Sequence, residues 1–231
     1  AVDMASTLTL AGNADFNADL DVDGTANLDA VDIDVSLTVD GTVKLNGNFP
    51  TGTDNVALGN DALSDGSLSG AGNIAIGDSA AKALTSGSNA VAIGRDAMST
   101  AVFTGSDAVA VGRSALAALT SGSNNVAVGA LAGTSITTAA NNIIIGGSSG
   151  DALTEGEDNV SIGRNALTND TLGSRSVAVG FSTLNAQNFT TATNSNNTAV
   201  GYNAGDSVTT GISHTFLGAF SGDALTDADS N

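Results

Sequence analysis

One short phrase recurs ten times between residues 55 and 222, and it limits the fold more than any other feature of the chain. Each copy ends in a β-branched residue, usually Ala, an aliphatic residue and Gly, as in VALG (56–59) and VAVG (109–112). Successive glycines are 18, 17, 18, 17, 17, 17, 17, 21 and 17 residues apart. A fixed period of this length is typical of solenoids built from stacked repeats. The ten glycines are Gly59, Gly77, Gly94, Gly112, Gly129, Gly146, Gly163, Gly180, Gly201 and Gly218.

Each repeat predicts a strand followed by a bend. Large β-branched or aliphatic residues alternate with a small one before the glycine, which indicates a short strand. The glycine marks a bend or a close approach of two backbones. A second segment follows, often ending in Ala-Leu, and then a polar turn such as TSGSN (85–89). We therefore expect two short strands and two turns per repeat, stacked into an all-β, parallel β-solenoid about 50 Å long.

Asparagine stands four residues before the glycine in six of the ten repeats. Identical residues of stacked coils lie above one another, so their side-chain amides can hydrogen-bond from coil to coil. The pattern predicts an asparagine ladder formed by Asn55, Asn73, Asn125, Asn142, Asn159 and Asn197.

Residues 1–49 carry a different repeat. LTLAGNADFN (8–17), LDVDGTANLD (20–29) and LTVDGTVKLN (37–46) each read as strand, glycine turn and strand. The single proline, Pro50, marks the junction, so we expect an N-terminal β-repeat segment over 1–49 and the solenoid over 50–231. SGDALTDADSN (221–231) matches SGDALTEGEDN (149–159), after which another strand begins. The solenoid is therefore expected to stop before an eleventh repeat.

Composition narrows the core and the partners. Aromatic residues are 3% of the chain and Trp and Cys are absent, while hydrophobic residues reach 41%. This combination predicts a thin core of small side chains. The net charge of −18 repels phosphate, which argues against nucleic acids and anionic membranes as partners. No apolar run approaches the roughly 18 residues of a membrane span.

The run of [NA]-[VI]-A-[VI]-G units resembles the head repeats of trimeric autotransporter adhesins, which form a YadA-like left-handed parallel β-roll. NTAVGYNAG (197–205) and HTFLGAFSGDAL (214–225) are similar to repeats of bacteriophage tail fibres. The resemblance covers nearly the whole chain. It implies a homotrimer that shares an axial core, an extracellular place on the virion and attachment to a host surface receptor. The alternative is the head of a bacterial trimeric autotransporter adhesin, whose commoner coils are shorter than 17–18 residues.

His214 is the single histidine of the chain. A catalytic histidine needs a nucleophile or an acid beside it, and no residue pattern supplies one, so we expect neither an enzyme nor a cofactor. Left-handed β-helix acyltransferases with hexapeptide repeats are an outside alternative, because Val56, Ala62, Leu68 and Ile74 keep a six-residue spacing. The 17-residue repeats then lose that register.

The 21-residue interval before Gly201 is the clearest irregularity of the repeat. Its extra residues lie in NAQNFTTATNSNN (185–197). A lengthened loop on a regular scaffold is a common place for binding; neutral drift is the simpler alternative explanation. Aromatic residues gather nearby, either for receptor contact or for a tighter trimer core. The candidate receptor contacts are Phe181, Phe189, Tyr202 and Phe220.

DLDVDG (19–24) matches the first half of an EF-hand loop. The twelfth position of that loop, which requires a bidentate Glu, is Ala30. In the aligned N-terminal repeats Leu20 and Val22 are core-facing strand residues, and the aspartates are solvent-facing. We therefore predict no built metal site, and only loose cation binding around a trimer axis.

Overall fold

The computed structural model describes residues 54–65 and 67–227, which lie in one compact unit. In this part of the chain the structure consists of strands, turns and loops, without a helix. The strands are β1 (Val56–Leu58), β2 (Ile74–Ile76), β3 (Val91–Ile93), β4 (Val109–Val111), β5 (Val126–Val128), β6 (Ile143–Ile145), β7 (Val160–Ile162), β8 (Gly173–Ser174), β9 (Val177–Val179), β10 (Thr193–Asn194), β11 (Thr198–Val200) and β12 (Thr215–Leu217). The predictions for 1–49, for DLDVDG and for the last four residues lie outside the described residues.

Ten of the twelve described strands form one parallel sheet in chain order. The other two, β8 and β10, pair with each other. Each three-residue strand is one side of a coil, and equivalent residues of consecutive coils face one another, as Ala110 faces Ala127. The register is the same across the 21-residue interval, where Ala178 of β9 faces Ala199 of β11. The predicted all-β, parallel β-solenoid is confirmed, with nine turns in the described part. We number the coils 1 to 10 by these ten strands.

The prediction of a second strand in every repeat is wrong. The Ala-Leu segment after each glycine is instead a tight turn whose residues adopt left-handed backbone angles. In coil 4, φ is +56° at Ser114 and +48° at Leu116, two and four residues after Gly112. Left-handed residues curl the chain and break the extended conformation that a strand requires. Outside the ten-stranded sheet, regular strand pairing in the described solenoid is limited to β8 with β10.

The ten glycines stack directly on one another, which explains why no other residue occupies their position. Their φ angles lie between +118° and +140°, a region that strains any residue with a Cβ atom. A Cβ on Gly146 would also lie 2.5 Å from the carbonyl oxygen of Gly163 in the next coil. These anchor glycines therefore allow both the bend after the strand and the close approach of neighbouring coils.

The predicted asparagine positions form a buried ladder, but its main partners are backbone groups. The Oδ1 of Asn142 accepts the backbone N–H of Asn159 at 3.0 Å, and its Nδ2 donates to the carbonyl of Gly156 at 3.0 Å. Asn73 makes the equivalent pair of bonds with Ala90 and Gly87. Each asparagine thus satisfies a donor and an acceptor of the neighbouring coil that would otherwise be buried without partners.

A second ladder, of threonines, lies on the far side of the coils and was not expected from the sequence. The hydroxyls donate to backbone carbonyls of the next coil, at 3.0 Å from Thr120 to Thr137 and at 3.3 Å from Thr137 to Thr154; Thr85 and Thr171 donate to Phe103 and Phe189 instead. The signal was the threonine eight residues after most anchor glycines. The two ladders hold opposite sides of the coils together.

The interior of the coils is narrow because each strand points its middle, small residue inward. Ala92, Ala110 and Ala127 are completely buried at this position. Where a larger residue occurs, the opposite turn loses its side chain: Ile144 replaces Ala in coil 6, and a Cβ on Gly150 would lie 3.1 Å from the Cδ1 of Ile144. In coil 6 a larger strand residue is therefore offset by a smaller turn residue, which keeps the core thin.

Candidate interaction surface

The sheet turns its large residues outward, away from the interior of the solenoid. The residues three and one before each anchor glycine flank the buried middle residue, and their side chains remain open to solvent; Leu58 is 47% exposed and Ile143 41% exposed. We call these two columns the outer face. Its residues are Val56, Leu58, Ile74, Ile76, Val91, Ile93, Val109, Val111, Val126, Val128, Ile143, Ile145, Val160, Ile162, Val177, Val179, Thr198, Val200, Thr215 and Leu217.

The outer face is continuous along the described solenoid. Ten strands spaced at about 4.8 Å make it about 43 Å long, and its two columns are about 10 Å wide. The resulting apolar area, roughly 430 Å², is that of a large patch on a monomeric protein, and such a patch is often functional. With the polar residues on either side the strip is about 20 Å wide and covers roughly 860 Å², close to the roughly 800 Å² that each partner buries in a stable protein interface.

Two columns of polar residues border the outer face. The leading flank is the residue five before each anchor glycine, and the trailing flank is the residue one after it. The charged side chains of both flanks are exposed, for example those of Asp158 and Arg164. The leading flank is Asp54, Gly72, Asn89, Asp107, Asn124, Asn141, Asp158, Arg175, Asn196 and Ser213. The trailing flank is Asn60, Asp78, Arg95, Arg113, Ala130, Gly147, Arg164, Phe181, Tyr202 and Ala219.

The leading flank is a chain of amide and carboxylate hydrogen bonds. The Nδ2 of Asn89 donates to Asp107 at 3.1 Å, and the Nδ2 of Asn141 donates to Asp158 at 3.2 Å. These residues have φ near +60°, which Asn and Asp tolerate better than other residues with a side chain. The flank therefore has both a conformational and a hydrogen-bonding reason to be rich in Asn and Asp.

The trailing flank ends in a stack of aromatic rings. The ring of Phe181 stacks on that of Tyr202 with centroids 5.3 Å apart, and Phe220 meets Tyr202 edge to face, also at 5.3 Å. The guanidinium of Arg164 in coil 7 lies 5.9 Å from the ring centroid of Phe181 in coil 8. Since stacking covers ring faces, the exposed part of Phe181 is mainly its edge. A receptor contact at Phe181, Tyr202 and Phe220 stays a prediction.

Phe189, the fourth candidate for receptor contact, is an interior residue. Its side chain is 4% exposed, and its carbonyl accepts the backbone N–H of Leu172 at 3.1 Å. It stands nine residues after Gly180, as the buried Phe103 stands nine after Gly94. Both rings fill the far side of a coil, so Phe189 cannot touch a receptor without unfolding its coil.

The extra residues of the 21-residue interval protrude just after Phe189. Residues 190–192 are exposed, while the chain on either side pairs with the preceding coil. The buried carboxylate of Asp170 fixes the base of this protrusion by accepting the backbone N–H groups of Gly173 at 3.1 Å and Phe189 at 3.0 Å. The Nε2 of Gln187 also donates to Asp170 at 2.6 Å. The sequence located the irregularity but not this polar support.

His214 is completely buried and takes the ladder position of asparagine in coil 10. Its backbone N–H donates to the Oδ1 of Asn197 at 2.9 Å, and its ring lies 5.1 Å from that of Phe216. Neither ring nitrogen has a hydrogen-bond partner among the described residues. The structure therefore brings His214 beside an aromatic ring of the core, and no nucleophile or carboxylate of the described part bonds to it.

Two carboxyl groups on the turns, those of Asp206 and Asp151, have raised pKa values. Burial raises the pKa of Asp206, and the charge of Asp223 in the next coil raises it further. Burial also raises the pKa of Asp151, against the lowering effect of hydrogen bonds. Within residues 54–65 and 67–227, no three His, Cys, Asp or Glu side chains come together as a metal site.

Comparisons of the chain with protein-family models, with curated proteins and with solved structures gave no match. No helix in the described part has the length and hydropathy needed to cross a membrane.

Proposed function

We propose that the chain is a structural and adhesive fibre segment: a homotrimeric β-solenoid of the bacteriophage tail-fibre type, carried outside the cell on the virion, that helps to attach it to a host surface. The single observation that carries this proposal is the outer face. Eighteen of its twenty residues are aliphatic, and nothing in the described part of the chain covers them. Burying such a surface between copies of the chain is favourable by about 25 cal/mol per Å² of apolar area.

The regular stacking supports a fibre role. Each coil presents the same ladders to the next, so the solenoid gains length without changing its cross-section. Self-association along the outer face would give a rod whose apolar strip lies inside and whose turns, including the protrusion at 190–192, lie outside.

The assembly is tested by measuring the molar mass in solution by light scattering during size-exclusion chromatography. The chain mass is 22.4 kDa, and we expect a single species at three times that value. A matched pair of variants probes the face: Val126→Asp places a charge in its middle, whereas Thr138→Asp places one at an exposed position on the far side. Val126→Asp should give monomers and Thr138→Asp should not. A native species of 22.4 kDa would refute the trimer.

The adhesive role is tested by binding the fluorescently labelled protein to a panel of whole bacterial cells. Deleting 190–192 shortens the long interval from 21 residues to 18, which restores the ordinary spacing without touching the outer face. We expect this deletion to abolish binding while the molar mass stays unchanged. If the trimer binds no strain, the adhesive role is refuted and the structural role remains. If Tyr202→Ser abolishes binding and the deletion of 190–192 does not, the receptor contact is at the aromatic stack instead of the protrusion.

A further inference from the structure

In two coils the flanks of the outer face carry opposite charges at the same height along the solenoid. In coil 4 the leading residue is Asp107 and the trailing residue is Arg113; in coil 7 they are Asp158 and Arg164. The members of each pair are six residues apart, at most about 20 Å of extended chain, and the outer face separates them. They therefore cannot neutralise each other within one chain.

Both arginines lack an ion pair within the described part of the chain. Arg113 has no acidic partner there, and the guanidinium of Arg164 has only the ring of Phe181 nearby, at 5.9 Å. The carboxylates have partners in their own column: Asp107 accepts from Asn89, and Asp158 accepts from Asn141 and also lies 3.9 Å from the Nε of Arg175 in the next coil. Exposed arginines without partners are notable in a chain with 6 basic and 24 acidic residues.

The flanks meet in different ways in the two arrangements that cover the outer face completely. When copies lie parallel around a common axis, the trailing flank of one meets the leading flank of the next at the same coil. Arg113 then meets Asp107, and Arg164 meets Asp158. When two copies lie antiparallel with full overlap, coil 4 meets coil 7 and each flank meets its own kind, so Arg113 faces Arg164 and Asp107 faces Asp158.

The remaining coils are compatible with the parallel arrangement, although coils 3 and 8 do not distinguish it from the antiparallel one. Coil 8 has a basic leading residue, Arg175, and its trailing residue is the uncharged Phe181. Coil 3 combines Arg95 with the uncharged Asn89. No described coil carries like charges on both flanks. Charge complementarity of this kind fixes orientation and register and penalises the wrong arrangement.

We propose that the partner of the outer face is a second copy of this chain, held parallel and in register by ion pairs from Arg113 to Asp107 and from Arg164 to Asp158 of the neighbouring copy. This inference rests on the self-association proposed above and adds its polarity, its register and the residues that set them. The same contact repeats around a ring, because each copy offers one flank to each neighbour.

Cysteine pairs and a short bismaleimide, long enough to span an Arg–Asp pair, test this arrangement directly. The native sequence has no cysteine, so only introduced thiols react. We expect Asp107→Cys/Arg113→Cys and Asp158→Cys/Arg164→Cys to link into covalent trimers on a denaturing gel. The matched control Asp107→Cys/Arg164→Cys, whose sites are three coils or about 14 Å apart in the parallel arrangement, should remain single chains. Circular dichroism checks that each variant folds.

The antiparallel arrangement has its own diagnostic pair, Arg113→Cys/Arg164→Cys. Linkage in this variant but not in Asp107→Cys/Arg113→Cys would overturn the inference while leaving self-association intact. Native trimers that link in none of the four variants would overturn the flank pairing as well. A native mass of one chain before any cross-linking would instead remove the proposed assembly, so the two failures are distinguishable.

A charge swap provides a second measurement. Arg113→Asp places like charges across the seam and should raise the concentration at which half of the trimer dissociates. The double variant Asp107→Arg/Arg113→Asp restores opposite charges and should return that concentration to the native value. Arginine suits the left-handed backbone at this column, since Arg175 has φ +64° there. A double variant that dissociates as readily as the single one would contradict the pairing.

Discussion

Replacing Gly146 by alanine tests the stacking of the anchor glycines in the middle of the solenoid. The new Cβ would lie 2.5 Å from the carbonyl oxygen of Gly163 and 2.6 Å from its carbonyl carbon. Coils 6 and 7 must therefore separate by close to 1 Å before the contact becomes an ordinary van der Waals one. Gly218→Ala is the matched control, because its φ is also unfavourable, at +118°, yet a Cβ there meets no described atom within 4 Å.

The magnitude follows from the bonds that this separation stretches. The backbone N–H of Gly163 donates to the carbonyl of Ile145 at 2.7 Å, and a shift of about 1 Å takes it beyond hydrogen-bond range. Losing one or two such bonds costs about 1 kcal/mol each, and the φ angle adds about 1–3 kcal/mol. We expect Gly146→Ala to lower the free energy of unfolding by about 2–5 kcal/mol, and Gly218→Ala by about 1–3 kcal/mol, so that Gly146→Ala costs about 1–2 kcal/mol more.

Urea titrations followed by circular dichroism, at one fixed protein concentration, measure both losses. The fixed concentration matters because the stability of an assembly depends on it. Equal losses in the two variants would show that backbone strain alone accounts for the glycines, and that the close approach of the coils contributes nothing.

Three further changes probe the ladders and the turns. Asn142→Ala should lower the free energy of unfolding by about 2–4 kcal/mol, since it leaves buried backbone groups without partners; the exposed Asn194→Ala should change it by under about 0.5 kcal/mol in the same urea titration. Asp170→Ala should cost about 3 kcal/mol and speed amide exchange around the protrusion, and unchanged exchange would contradict its supporting role. The raised pKa of Asp206 means that its charged form destabilises the fold as the pH rises through that pKa. Asp206→Asn should therefore raise the melting temperature at pH 7, and the difference should vanish below pH 3.8, the ordinary value, where the carboxyl is protonated in both states. An equal rise at both pH values would show that the charge of Asp223 and burial are not the cause.

The strands and their stacking followed from the sequence because period and composition agree. Alternation over three residues is a weak signal in one copy, but ten copies at a near-constant interval restrict the fold to a solenoid. The same logic located the asparagine ladder. What the repeat could not supply was the identity of the partners, which for Asn142 are mostly backbone groups contributed by the next coil.

The sequence did not predict the turns after the glycines, because the residue types there do not indicate positive φ angles. Leu63 and Leu116 adopt φ of +47° and +48°, although leucine in isolation avoids this region. Their burial in the core compensates for the strain. A short Ala-Leu segment therefore resembles a strand in sequence, and only the packing of the coil shows that it curls.

The direction of the strand side chains was equally hidden. Alternation defines two faces but does not say which is inside. The interior accepts Ala92 and excludes the neighbouring Val91 because the turn of the same coil already fills it. The sequence offered only a partial indication: both large middle residues, Ile144 and Phe216, occur with a glycine six residues later, but Gly133 and Gly205 occur with alanine.

The constant register of the sheet across coils of unequal length has a genetic consequence. Coils of 17, 18 and 21 residues offer the same upper and lower surfaces, so a coding unit can be duplicated, lost or enlarged in frame without disturbing its neighbours. Each such event would alter the rod by about 4.8 Å, or add a projection at an unchanged height. Length and surface variation can thus evolve separately, by recombination in the first case and by insertion in the second.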